Sequence, residues 1–229
     1  MSAAADKIAE AVGGGRWLRG YVRGKLRSDP VFEAGRAAVE QSGGPVVDLG
    51  CGLGLFGLWL RQHGCGVAYR GCDLSGWKIA AGQQAAERLG YRDFRLEADD
   101  LTKFSLEGAR VVCAFDVIHY LDDARQLELV RRLAAAARGG STVLLRTGVR
   151  GCGWRSAVTR VEEWWTRACG WIRGGQINFP RLEDLRTAFE AAGCRVEARP
   201  LWGRTLFSSH WLEIGARDQL PLAVRPSED

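Results

Sequence analysis

Five side chains and one glycine pattern in this 229-residue chain are of types that do chemistry. Asp48 ends the apolar run Val46-Val47 and is followed by Gly50, Gly52 and Gly54 at alternate positions. Glycine suits a turn that needs φ > 0, and a missing Cβ lets a ligand approach backbone N–H groups at a helix start. An ordinary strand-turn-helix connection seldom needs three alternate glycines behind an acidic strand end. Asp73 stands nineteen residues beyond Gly54, where a carboxylate can accept the hydroxyls of a bound ribose. Asp99 heads Asp99-Asp100-Leu101, and Asp116 precedes His119 by one short turn. An imidazole there can take a proton from a hydroxyl near neutral pH, and Asp116 can orient it or the acceptor. The other histidines are weaker candidates: His63 lies at a helix end before Gly64, and His210 starts a late strand.

These groups need elements that bring them to one edge. Val46 to Leu49 reads as a buried strand and Leu55 to His63 as the apolar helix after the glycine turn. A second strand over 66–75 delivers Asp73, and a helix over Trp77 to Leu89 ends at Gly90. Phe94 to Ala98 delivers Asp99. The fully apolar Val111 to Phe115 delivers Asp116, as a central parallel strand would. Helix Asp122 to Arg138, strand Thr142 to Arg146, helix Leu182 to Ala192 and two β segments, Cys194 to Leu201 and Ser209 to Ala216, complete the order. Strands alternating with helices predict a parallel sheet, with ligands at its carboxyl edge.

Gly52-Leu53-Gly54-Leu55-Phe56-Gly57 also fits the dinucleotide pattern G-x-G-x-x-G, a weak signal alone. Asp48 argues against it, since a carboxylate just ahead of the loop would repel a pyrophosphate yet could hold an ammonium, directly or through water. Asp48, Gly50, Gly52 and Gly54 resemble the acidic-x-Gly-x-Gly-x-Gly signature of class I S-adenosylmethionine-dependent methyltransferases, and the last two β segments resemble that family's closing antiparallel pair. The resemblance covers about residues 40 to 216. It implies a doubly wound, mainly parallel seven-stranded α/β sheet with an antiparallel last strand and helices on both faces. It also implies S-adenosyl-L-methionine as cofactor, with Asp73 on the ribose and Asp99 on the adenine amino group. Cys51, Leu74, Asp100, Leu101 and Phe115 would line the same pocket.

Composition narrows the function classes. The net charge of +5 is moderate, and 28 of the 32 basic residues are Arg in a chain rich in Ala and Gly, which reads as coding bias rather than a nucleic-acid footprint. No Asn/Asp-Pro-Pro-aromatic run follows the fourth strand, which argues against amino methylation of nucleic acid. Seven cysteines, none in a C-x-x-C pair, read as reduced core residues and predict no metal site. Residues 1–6 lack a secretory pattern and no apolar run approaches about 18 residues, so a cytoplasmic protein is expected.

Two segments outside the alternation bear on the acceptor. The first, 1–36, is read as an amino-terminal helical lid ahead of a methyltransferase domain at 37–229. Its stretch Arg16 to Arg27 sets Trp17, Tyr21 and Leu18, Val22 at i, i+4 among Arg16, Arg19, Arg23 and Arg27. The second, 147–180, holds Trp154, Trp164, Trp165 and Trp171 among arginines and is placed over the carboxyl edge as a lid or substrate insertion. Tyr21, Tyr120, Trp154 and Trp165 are the candidate walls for a small aromatic or acyl-chain acceptor, methylated at oxygen. The basic lids resemble those of bacterial methyltransferases of aryl-polyene-type and fatty-acid-like secondary metabolism. That likeness implies an acidic carrier protein as partner, and the basic charge of the two segments also fits an anionic membrane surface. Nucleic acid ranks behind both. A nucleic-acid or protein methyltransferase, a nicotinamide-binding protein and a non-catalytic binding module remain as alternatives.

Overall fold

The computed structural model describes residues 2–150, 177–202 and 209–218. Its strands are β1 (Val46–Leu49), β2 (Tyr69–Asp73), β3 (Phe94–Ala98), β4 (Val111–Phe115), β5 (Thr142–Gly148), β6 (Cys194–Pro200) and β7 (Ser209–Ala216). They form one sheet in the order β3-β2-β1-β4-β5-β7-β6. Pairs β1–β2, β1–β4, β2–β3 and β4–β5 are parallel, and β7 runs antiparallel to both β5 and β6. The reversal of strand order beside β1 opens the crevice in which such sheets bind ligands. The second strand is shorter than its expected 66–75, beginning at Tyr69, where its backbone first pairs with β1 and β3.

Seven helices lie among the described residues: α1 (Ser2–Val12), α2 (Arg16–Ser28), α3 (Val31–Ser42), α4 (Leu55–Gln62), α5 (Gly76–Arg88), α6 (Asp123–Arg138) and α7 (Leu182–Ala191). Strand alternation divides the core in two. Val46, Cys113, Leu144 and Trp211 pack with apolar residues of α1 to α5 on one face. Val47, Leu49, Val112, Leu145 and Leu212 pack with those of α6 and α7 on the other. Helix α3 has no counterpart in the sequence reading. It buries Val31, Phe32, Gly35, Ala38 and Val39. It also runs through positions 36 and 37, so no helix end marks a boundary there.

The amino-terminal helices are tied to the sheet by charge as well as apolar contact. Asp29, between α2 and α3, accepts the Val31 N–H at 3.1 Å, and its carboxylate meets the Arg146 guanidinium of β5 through two bonds. Arg146 Nε donates to Asp116 Oδ1 at 3.0 Å, and Nη2 reaches the second Asp116 oxygen. Arg146 is 5% exposed. Such a cation is tolerable only when carboxylates reach it, and a bidentate fork on each side supplies four charge-assisted bonds. Between α2 and α1, Arg19 pairs with Glu10, Arg23 with Asp6 and Glu10, and Arg27 with Asp6. Three of the four arginines read as a basic docking face are thus compensated by α1, a helix that the arginine count did not weigh.

Two outcomes test this packing. A Cβ at Gly82 of α5 would overlap the Leu53 carbonyl group of the glycine loop and come within 2.7 Å of Leu96 Cδ1. Gly82→Ala is therefore expected to cost about 1–3 kcal/mol in urea denaturation, because backbone cannot rotate aside as a side chain can. Arg146→Met should cost about 3–5 kcal/mol by leaving the buried Asp29 and the half-buried Asp116 without their guanidinium, and Arg146→Lys less. Equal stability of Arg146→Met and the parent would show that α2 and α3 are held by apolar contact alone.

Candidate cofactor and acceptor site

The glycine loop is shaped by its own backbone. Gly50, Gly52 and Gly54 have φ of 75°, 57° and 65°, the left-handed region that favours glycine. Gly50 and Cys51 N–H both donate to the Cys72 carbonyl, at 2.8 and 2.9 Å, which folds the loop against the end of β2. Asp73 then joins the two elements: Oδ2 accepts the Gly52 N–H at 3.0 Å and Oδ1 accepts the Ser75 N–H at 2.8 Å. Each oxygen keeps a second lone pair for a ligand hydroxyl. A Cβ at Gly52 would lie 4.0 Å from Asp73 Oδ2 and from Lys78 Cδ, with nothing nearer. The cradle beside Asp73 is open at the place where a nucleoside ribose would sit, so the residues present fit such a group.

The carboxylates around this cradle differ because their surroundings do. Asp48 is 3% exposed and accepts the Tyr69 hydroxyl, which places it beneath the loop. Burial outweighs that bond and pushes its carboxyl up to about 7. Of the neighbouring pair, Asp100 turns inward, accepting from Thr102 N and Oγ1 at 2.9 Å each and from Arg125 Nη2 at 2.6 Å. Partial burial opposes ionisation, but these donors hold its carboxyl below the ordinary value. Asp99 is exposed and bonds the Asp100 N–H at 2.7 Å, so it has capacity left for a ligand amino group. Leu74 is exposed at the mouth, Leu101 is buried, and Phe115 packs between Phe56 and Trp211 at 5.2 and 5.6 Å.

On the acceptor side, Asp116 has φ of 54°, a conformation that Asp tolerates better than most residues, and its N–H donates to the Arg146 carbonyl at 2.8 Å. Its side chain turns to Arg146, not to His119. His119 lies in the 3-10 turn Ile118–Tyr120, is 3% exposed, and places Nδ1 3.2 Å from Thr147 Oγ1 and its ring 5.2 Å from Phe179. Burial drives its pKa down to about 4, so the ring is neutral and weakly basic. The turn is fastened from behind, Asn178 N–H donating to the His119 carbonyl at 2.8 Å and Gln126 to the Asn178 carbonyl at 2.7 Å. Tyr120 is half-buried, its ring 4.3 Å from that of His119. Tyr21 is half-buried on α2 and stacks on Trp17 at 6.0 Å. Trp154 and Trp165, with most of the 147–180 segment, lie outside the described residues.

The sequence reading missed Arg146, Asp29 and Lys25. The available signal was an arginine inside the apolar strand Val143-Leu144-Leu145-Arg146, which must find carboxylates when buried.

Comparison with known proteins agrees with this fold. No curated protein matches the chain significantly by sequence. Among solved structures, the magnesium protoporphyrin IX methyltransferase of Synechocystis PCC 6803 with bound SAH is 18% identical, over 94% of this chain and 95% of that one, with a TM-score of 0.65. A mitomycin 7-O-methyltransferase is 19% identical over 88% of this chain, with a TM-score of 0.64, and this chain spans 57% of its length. An S-adenosylmethionine-dependent methyltransferase of Clostridium acetobutylicum ATCC 824 is 9% identical, over 81% of this chain and 89% of that one, with a TM-score of 0.58. At these identities the likeness is one of fold. A family model described as a methyltransferase domain matches residues 18–199, and the chain belongs to that methyltransferase family.

Proposed function

We propose that this methyltransferase uses S-adenosylmethionine and transfers the methyl group to an oxygen of a small molecule with an aromatic or acyl-chain body. The observation that carries the reading is the Asp73 carboxylate, fixed by the Gly52 and Ser75 amides over an open glycine cradle. When bound, the cofactor supplies a methyl group already activated by its sulfonium. The chain's own work is then alignment and exclusion of water. Asp73 would accept the ribose hydroxyls, Asp99 the adenine amino group, and Asp48, from beneath the loop, would balance the ammonium. His119 is read as a wall of the site rather than its base, since its ring is enclosed by Thr147, Tyr120 and Phe179.

A small-molecule acceptor is favoured over nucleic acid because the α2 arginines meet α1 carboxylates instead of forming an open basic surface. The same ion pairs weaken the case for an acidic carrier or an anionic membrane at α2 and leave that idea to the 147–180 insertion. No helix among the described residues is long and apolar enough to cross a membrane, and a cytoplasmic location is part of the proposal.

The deciding experiment is calorimetric titration with S-adenosylhomocysteine and, separately, NAD, only the first of which should bind. Asp73→Ala should weaken S-adenosylhomocysteine at least about tenfold, since each charge-assisted bond lost is worth about 1.5–3 kcal/mol. Asp73→Asn should lie between, keeping an acceptor without the charge. Unchanged affinity in both variants would remove the ribose assignment.

Asp48 sets a pH dependence. In the ligand-free chain its pKa rises from 3.8 to about 7, so between those values the folded state holds a proton that the unfolded state has lost, and stability falls as pH rises. Binding an ammonium favours the ionised carboxylate, so S-adenosylhomocysteine affinity should rise several-fold from pH 6 to pH 8. Asp48→Asn should flatten that rise. A profile that is flat in the parent, or equally steep in Asp48→Asn, would detach Asp48 from the ligand.

A further inference from the structure

Two imidazoles stand near the ends of β4 and β5, and both belong to the α6/α7 face. Thr147, the partner of His119, alternates with Arg146, and His210, opposite Thr147 in register, alternates with Trp211. Arg146 and Trp211 point to the lid face instead, where the α2 and α3 helices cover the edge. The group that α2 itself brings there is a lysine.

Lys25 Nζ is 3.1 Å from Asp29 Oδ2, and a third of its side chain remains accessible. The ammonium donates to Asp29 Oδ2 through one of its three N–H groups. Burial works to discharge the ammonium, but Asp29 and Tyr21 overcome this and keep its pKa above the ordinary value. Asp29 is simultaneously held by Arg146, so the aspartate cannot swing away with the lysine. Trp17, Tyr21 and Lys25 recur at i, i+4 and i+8 along α2, which sets two stacked rings in line with one ammonium. Asp29 and Asp116 share the Arg146 guanidinium, so the Lys25–Asp29 pair connects α2 to the turn after β4 through that one cation.

We propose that Lys25 binds the ionised oxygen of the acceptor, a carboxylate or a phenolate, while Tyr21 and Trp17 lie along its apolar body. This rests on the reading of the chain as an S-adenosylmethionine-dependent enzyme and names the acceptor class for that site. The acceptor oxygen arrives deprotonated. Its lone pair forms the O–CH3 bond as the C–S bond of the sulfonium breaks and the bonding pair stays on sulfur. Anion and sulfonium become a neutral ester or ether and a neutral thioether, and the protein takes up no proton. Lys25 thus replaces a general base by holding the acceptor in its ionised form.

The test loads the full chain with S-adenosylhomocysteine and measures binding of 2-naphthoate, 4-nitrophenolate and the neutral 2-naphthamide. The parent should bind at least one anion about tenfold or more tightly than the amide, the range of one charge-assisted hydrogen bond. The tighter of the two anions identifies carboxylate or phenolate. Lys25→Met should abolish the preference, Lys25→Arg should retain most of it, and S-adenosylhomocysteine affinity should stay within about twofold in both. Failure of the parent to bind S-adenosylhomocysteine would defeat the cofactor reading itself. With that binding intact, an anion preference that survives Lys25→Met, or no preference or no binding of either anion in the parent, overturns the acceptor assignment alone.

Discussion

A buried guanidinium in the middle of a sheet constrains everything around it. Arg146 occupies an inward position of β5 between apolar neighbours, and removing it from water is tolerable only if carboxylates reach it. One comes from the turn after β4 and the other from the junction of α2 and α3, more than a hundred residues earlier in the chain. Because Asp29 also accepts the first amide of α3 and the Lys25 ammonium, the guanidinium fixes where α2 ends and where α3 begins. Helices α2 and α3 are set against this face of the sheet by that electrostatic requirement, and their apolar residues pack on it.

The same edge gathers several carboxylates whose roles follow from their surroundings. Asp48 is buried with a phenol for company and is pushed toward the neutral form; Asp29 is buried between two cations and held well below the usual range. Asp100 is committed to Thr102 and Arg125, and Asp73 is positioned by two amides yet keeps lone pairs toward the cradle. In the proposed reading one type of side chain would thus supply a pH-responsive counter-charge, a structural anchor, a loop brace and a ligand acceptor. Environment, not identity, separates them.

The sheet was legible in the sequence because its signals are local. Apolar runs ending in Asp48, Asp73 and Asp116 mark parallel strands, and the alternate glycines mark the turn. The antiparallel end was legible only through resemblance. What stayed hidden was non-local: α3, whose buried stripe relies on Gly35 and Ala38, and the Asp29–Arg146 contact, which no spacing rule connects. The pairing of Arg19, Arg23 and Arg27 was hidden for the same reason, since a count of arginines says nothing about the carboxylates that α1 brings across to them. His119 was placed correctly at the end of β4, but its exposure depended on Asn178 and Phe179, contributed from far along the chain.

In the proposed reading the cofactor cradle lies at the carboxyl edge of β1, β2 and β3, on the sheet face that Arg146 and Asp29 fasten to α2 and α3. Amide hydrogen exchange with and without S-adenosylhomocysteine tests it most directly. The account requires slower exchange on binding for peptides covering Gly50 to Gly54, Asp73 to Ser75 and Asp99 to Leu101, with a smaller effect in α2 and none in α7 or β6. Protection confined to β6 and α7, or binding with no change at the glycine loop, would contradict it.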